Sequence, residues 1–162
     1  MEIKYKAIGI IKSPFKATEG MPIQSASASG VRGEVIVNEE YLEGLSDLDG
    51  FSHIVLLFHF HQSKKFKLKV KPYMDNVERG VFATRAPSRP NSIGLSVVKL
   101  IGIEGNKLII ENVDILDGTP LLDIKPYIYE MDNYDNNFRY GWITGKINKI
   151  KGTKSDSRFF AK

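Results

Sequence analysis

The chain has 162 residues, of which 42% are hydrophobic and 26% charged, a balance that suits one globular domain with its own core. It contains no cysteine, which excludes disulfides, thiolate nucleophiles and cysteine-ligated zinc. A net charge of +4 permits an anionic partner such as RNA without requiring one.

The dominant hydrophobic period is two. Residues 4–12 are predicted as a strand, with Tyr5, Ala7, Gly9 and Ile11 on one face, ended by Ser13-Pro14-Phe15. The stretch 16–32, rich in Ser, Ala and Gly, is a long loop of the kind that carries function. A short strand follows at 33–37, then a helical segment at 39–48 that Asn38 is placed to cap. Residues 52–60 form an apolar, β-branched and aromatic run that fits a central strand. Residues 65–71 alternate, which predicts a strand with Phe66, Leu68 and Val70 inward and Lys67, Lys69 and Lys71 outward. A short strand at 81–84 leads into a Pro-rich loop. Residues 95–104 and 107–112 make a hairpin turned by Glu104-Gly105-Asn106. Two further strands, 114–117 and 122–127, flank Asp117-Gly118-Thr119-Pro120; residues 130–139 are polar and irregular. Many short strands and one short helix predict a mainly β fold, a barrel or sandwich, in one domain over residues 1–162. The longest apolar run is only 54–58, whereas a membrane-spanning helix needs roughly 20 residues. With no signal-peptide core at the N-terminus either, the expectation is a cytoplasmic protein.

There is no Gly-x-Gly-x-x-Gly, no P-loop and no Gly-x-Ser-x-Gly elbow, so the usual glycine-rich cofactor cradles are missing. His53, His59 and His61 share one strand face, but His53 and His59 would stand roughly 20 Å apart. No metal site is expected. The three read first as satisfied or half-exposed strand histidines; the other reading open to His61, beside Gln62 at a strand end, is to face a ligand at a barrel mouth. In the loop 80–94, Pro87 and Pro90 restrict the backbone and present Arg85, Arg89 and Asn91 in a defined geometry. Arginine forks suit a carboxylate or phosphate, and they also cap backbone carbonyls. Lys65, Lys67, Lys69 and Lys71 make a positive comb whose spacing of about 6.6 Å is close to that of nucleic-acid phosphates. An edge-strand face studded with lysine to block pairing has the same pattern. Lys146, Lys149, Lys151, Lys154 and Arg158 form a second basic cluster.

Four blocks in order carry a more specific signal. They are Ile8-Gly9-Ile10-Ile11-Lys12-Ser13-Pro14-Phe15, the run from Leu48-Asp49-Gly50-Phe51 to His61-Gln62, the loop 80–94, and Asp117-Gly118-Thr119-Pro120 with Asp123-Ile124-Lys125-Pro126-Tyr127. In these the chain resembles the TrmO family, also called TsaA-like or YaeB-like, of S-adenosylmethionine-dependent tRNA methyltransferases. The resemblance implies a single-sheeted β-barrel, a homodimer, and methylation of the exocyclic nitrogen of threonylcarbamoyladenosine in the tRNA anticodon loop. It implies S-adenosyl-L-methionine contacts from Pro22, Ile23, Gln24, His61, Gln62, Arg85, Leu95, Asp117, Gly118, Thr119 and Pro120. Lys65, Lys67, Lys69, Lys71 and Arg89 would then hold the RNA.

Two departures stand out. Bacterial members carry an extra C-terminal region, which is expected to be absent here, and they have Pro-Arg-Gln where this chain has Pro22-Ile23-Gln24. The nitrogen to be methylated must lose a proton. Asp117 and His61 are the candidate catalytic groups, with Asp123 and Tyr127 open as well. A methyltransferase for a different substrate and a non-catalytic RNA- or nucleotide-binding barrel are the alternative functions.

Overall fold

The molecule, a computed structural model, is described over residues 1–133 and 138–159. Its strands are β1 (Gly9–Lys12), β2 (Arg32–Val37), β3 (His53–His59), β4 (Lys69–Val70), β5 (Arg79–Gly80), β6 (Ile93–Glu104), β7 (Lys107–Glu111) and β8 (Thr119–Pro126). Six of them close one antiparallel barrel in the order β1-β2-β7-β6-β3-β8. Closure leaves no free sheet edge.

Alternation decides what fills the barrel. Ile54, Leu56 and Phe58 of β3 point inward, as do Val98 and Leu100 of β6. Ile11, Val35, Val37, Leu108, Ile110 and Leu121 complete this interior. Backbones approach closely where β1 meets β2: a side chain at Gly9 would start 2.3 Å from the Ile36 carbonyl oxygen. The pairing of β3 with β8 slips between Leu57 and Phe58. Such a bulge re-aims the side chain beside it.

The register puts the ends of β1, β3 and β7 and the starts of β2, β6 and β8 at one mouth. Three long connections leave that mouth: 13–31, 60–92 and 112–118. The tail 138–159 folds back onto them in short 3-10 turns. Ser155 ties it down, with its amide donating to the Met21 carbonyl at 2.8 Å and its hydroxyl donating to the Thr18 carbonyl at 2.6 Å.

Several expected elements differ. The strand at 65–71 shrinks to the two residues of β4, and Phe66 and Leu68 are exposed at 58% and 62% rather than buried. Alternation there had no barrel strand to pair with, only the two residues of β5. Residues 81–83 form a 3-10 turn, stitched by the Thr84 amide and hydroxyl to the Val81 carbonyl. Residues 114–117 are loop: the Asp117 amide donates to the Phe15 carbonyl, the Ile115 carbonyl accepts the Ser13 hydroxyl, and the Leu116 carbonyl accepts from Thr119. The segment 39–45 is 3-10, and Asn38 donates its side-chain amide to Ala7 rather than capping. Within the stretch expected to be irregular, a short helix α1 (Tyr129–Asp132) forms, and residues 134–137 lie outside the described residues.

Candidate functional site

A cleft of about 330 Å³ opens at the loop-bearing mouth. Its floor is the top of the barrel core. Phe58 lies over Gly94, its cross-strand partner, and meets Phe60 edge-on at 5.3 Å. A side chain at Gly94 would start 2.2 Å from the Phe58 ring, so only glycine admits this ring position. Leu95, Ile115 and Leu116 continue the apolar wall.

Polar groups converge on that wall from all three loops. Arg85, presented by the Pro-rich loop, donates from Nη1 to Gln24 Oε1 of the early loop at 2.8 Å. Asp114 also lines the cleft, and its carboxylate accepts the Ser96 hydroxyl at 2.6 Å. The residue keeps some solvent contact, yet protein hems in its carboxyl. Burial pushes the Asp114 carboxyl up to about 6, against the opposing pull of the Ser96 hydroxyl, backbone amides and the Arg85 charge. His61 stands at the rim with its pKa lowered, first by desolvation and then by the neighbouring His59. The Thr119 hydroxyl donates to the Leu116 carbonyl at 2.7 Å and lies 3.4 Å from His61 Nδ1.

The structure brings together most of the sequence-predicted cofactor residues. Pro22, Ile23, Gln24, His61, Gln62, Arg85, Leu95 and Thr119 all line the cleft. Asp117, Gly118 and Pro120 do not. Asp117 instead accepts the Ser13 amide at 3.0 Å and pairs with Lys16 at 2.7 Å, which holds its carboxyl below the usual range. The Gly118 amide donates to the Ile11 carbonyl, and Pro120 sits within β8 opposite Ile10. The Ser-Pro-Phe and Asp-Gly-Thr-Pro blocks are thus two halves of one structural clamp. Asp123 pairs with Lys125 at 2.8 Å and Tyr127 accepts from Asn133 at 2.9 Å; neither lines the cleft. Arg89 reaches the cleft, but its Nη1 is committed to carbonyls of its own loop, at 2.8 Å for Thr84 and 3.2 Å for Val81. Lys65, Lys67, Lys69 and Lys71 are exposed, and none forms an ion pair among the described residues.

Asp114 is the residue that reading the sequence passed over. The signal was present: one acid stands inside the apolar run Val113-Asp114-Ile115-Leu116, where a buried charge needs a reason.

Fold and site together define a closed six-stranded barrel with a small cleft at one mouth, lined by both basic and acidic side chains. Residues 10–133 match the family profile described as the tRNA-methyltransferase O N-terminal domain. The chain belongs to that family. A Pyrococcus abyssi protein named "Probable S-adenosyl-L-methionine-binding protein" is 52% identical over 159 residues, 98% of this chain and 86% of that protein. The mouse tRNA (adenine(37)-N6)-methyltransferase is 40% identical over 138 residues, 80% of this chain and 32% of its own length. The crystal structure of TrmO from Pseudomonas aeruginosa superposes with a TM-score of 0.73 at 39% identity, covering 88% of this chain and 63% of that one. The chain therefore spans less than two thirds of these last two relatives.

Proposed function

We propose that this protein is an S-adenosyl-L-methionine-dependent tRNA (adenine-N6) methyltransferase whose cofactor occupies the barrel-mouth cleft. The observation that carries the reading is that Arg85 and Asp114 line one cleft with an apolar floor, near enough for the Arg85 charge to act on the Asp114 carboxyl. S-adenosyl-L-methionine has an anionic carboxylate, a cationic ammonium and sulfonium, and a flat base. Arg85 suits the carboxylate as a fork donor. Asp114 suits a cation, whose arrival favours ionisation of a carboxyl otherwise kept partly protonated. Phe58, Phe60 and Leu95 suit the apolar surfaces, and a cleft of about 330 Å³ falls within the usual range for small-ligand sites. Gln24, bonded to Arg85, occupies the early-loop position beside Ile23, where bacterial members carry arginine.

The cofactor supplies an electrophilic methyl group. The chain's own residues hold the partners in line, which is where most of the acceleration in such a transfer arises. As the nitrogen–carbon bond forms and the sulfur–carbon bond breaks, the nitrogen sheds its proton. His61 is the acceptor this site offers. Desolvation and the neighbouring His59 lower its pKa, which favours the neutral imidazole a proton acceptor needs, and the Thr119 hydroxyl stands beside the ring.

The fuller reading names threonylcarbamoyladenosine of the anticodon loop as acceptor, a cytoplasmic location and a homodimer. Lys65, Lys67, Lys69 and Lys71 hold the RNA backbone in it. Support comes from the name of the mouse relative and the exposed comb. Mass spectrometry of nucleosides from cells with and without the gene tests the acceptor; an unchanged methylated fraction refutes it. Light scattering tests the dimer. Arg85→Ala is expected to abolish cofactor heat in titration calorimetry while leaving the protein folded, and unchanged heat would remove Arg85 from the site.

A further inference from the structure

A second cavity, of about 690 Å³, adjoins the cleft and shares Ile23, Gln24, Tyr73, Thr84 and Arg85 with it. Its character differs. Tyr73, Phe82, Tyr140, Trp142 and Phe159 put five aromatic rings around one space. Its wall among the described residues has one charged side chain, Arg85, and no acid. Three of the five rings come from the tail, beyond residue 133 where the family match ends.

Trp142 is held firmly. Its Nε1 donates to the Ala83 carbonyl at 2.7 Å. Arg79 and Lys146 stand 5.9 and 5.6 Å from the ring centroid. Asp75 clamps both cations, at 2.8 Å to Arg79 and 3.2 Å to Lys146. A ring fixed in this way has little entropy left to lose when something stacks on it. Phe82 and Tyr140, by contrast, are 74% and 51% exposed, which leaves large apolar rings in water.

We propose that this aromatic cavity receives an unpaired nucleobase of the RNA substrate, with the tail rather than the barrel supplying most of the stacking surface. The proposal rests on the methyltransferase reading, since it gives the acceptor a place beside the donor. Continuity argues for it: a base stacked here lies across the wall formed by Thr84 and Arg85 from the cleft. Charge argues for it too. Arg85 is the wall's one charge, and the lysine comb 64–71 belongs to the same connection between β3 and β6, which suits a polyanion. Every base has a π-face, so such a platform binds single-stranded RNA without duplex opening.

The test compares Trp142→Ala, Phe82→Ala and Trp142→Phe with wild type. The probes are S-adenosyl-L-methionine by calorimetry and a fluorescein-labelled anticodon stem-loop RNA with an unpaired adenosine by anisotropy. Each alanine variant is expected to weaken RNA binding roughly tenfold and to leave cofactor affinity unchanged. Trp142→Phe keeps a stacking ring but loses the bond to Ala83, and is expected to retain most RNA affinity. RNA affinity that survives both alanine variants overturns the proposal. So does a Trp142→Phe as damaging as Trp142→Ala, which would make the ring a structural strut. A change of mass by light scattering in Phe82→Ala would assign the rings to a second copy of the chain and overturn it as well. Wild-type protein that takes cofactor and RNA while both alanine variants keep their RNA affinity sinks this proposal alone; wild-type protein that takes the cofactor but no RNA sinks the tRNA reading with it, and protein that takes neither sinks the methyltransferase reading as well.

Discussion

Asp114→Asn should make the protein more stable and less able to bind its cofactor, with a pH signature that separates the two effects. The folded carboxyl is pushed up to about 6, against 3.8 for the free side chain. A folded value above the unfolded one means the native state holds the proton more tightly. This group therefore costs no stability below pH 3.8, costs progressively more up to about pH 6, and costs a constant amount above that. The gap is worth about 3 kcal/mol. Asparagine never ionises, and its Oδ1 still accepts the Ser96 hydroxyl. Without cofactor the variant should gain up to about 3 kcal/mol near pH 8, or roughly 6–12 °C in Tm, and the gain should vanish near pH 4. Thermal melts followed by circular dichroism at several pH values measure this, and calorimetry should show weakened S-adenosyl-L-methionine binding. A stability difference that stays flat with pH, or a variant less stable than wild type in mild alkali, would refute the argument that Asp114 is a desolvated acid awaiting a cation.

Gly94→Ala drives a methyl group into the Phe58 ring that forms the cleft floor; a loss of about 1–3 kcal/mol is expected, along with weaker cofactor binding, and an unchanged melt would show that the ring moves freely. Charge reversal at Lys67 and Lys69 together should weaken RNA binding, make the slope of log K against log salt shallower by about 2, and leave cofactor titration untouched. Equal loss of both would mark the lysines as structural. Asp117→Ala is the converse case. Lys16 and the Ser13 amide hold this carboxyl below its usual range, so its contribution is present above pH 3.8 and lost as pH falls below that. The variant should melt lower at neutral pH, converge with wild type in acid, and bind cofactor normally; lost affinity with an unchanged melt would return Asp117 to the site.

The strands that apolar runs and turn signals made legible were those with a barrel partner on each side. Residues 33–37, 52–60 and the hairpin 95–112 match β2, β3, β6 and β7 to within a few residues. The alternation at 65–71 is as regular as any, yet Phe66 and Leu68 face water, because no strand or core lies across from them. Pattern identifies a face that can be buried, and only a partner buries it. The site divides along the same line. Arg85 was readable as a polar residue in a proline-restricted loop and His61 as one at a strand end, whereas Gln24 was named only through the family resemblance. Asp117 was expected as a ligand group only because the family resemblance implies it, and its carboxylate is engaged by Ser13 and Lys16. Asp114 sits three residues earlier and lines the cleft with its carboxyl desolvated.

The amino-acid order alone dictated a cysteine-free, antiparallel β protein with rigid proline-bounded loops, since those properties depend on side-chain period and on backbone restriction at single residues. Which loops meet was decided by barrel closure. Residues 24, 61, 85 and 114 are far apart along the chain, and the shared mouth of β1, β3 and β7 is what gathers them into one cleft. Burial, and with it the charge state of Asp114, is a property of that gathering, so no local reading of Val113-Asp114-Ile115 contains it.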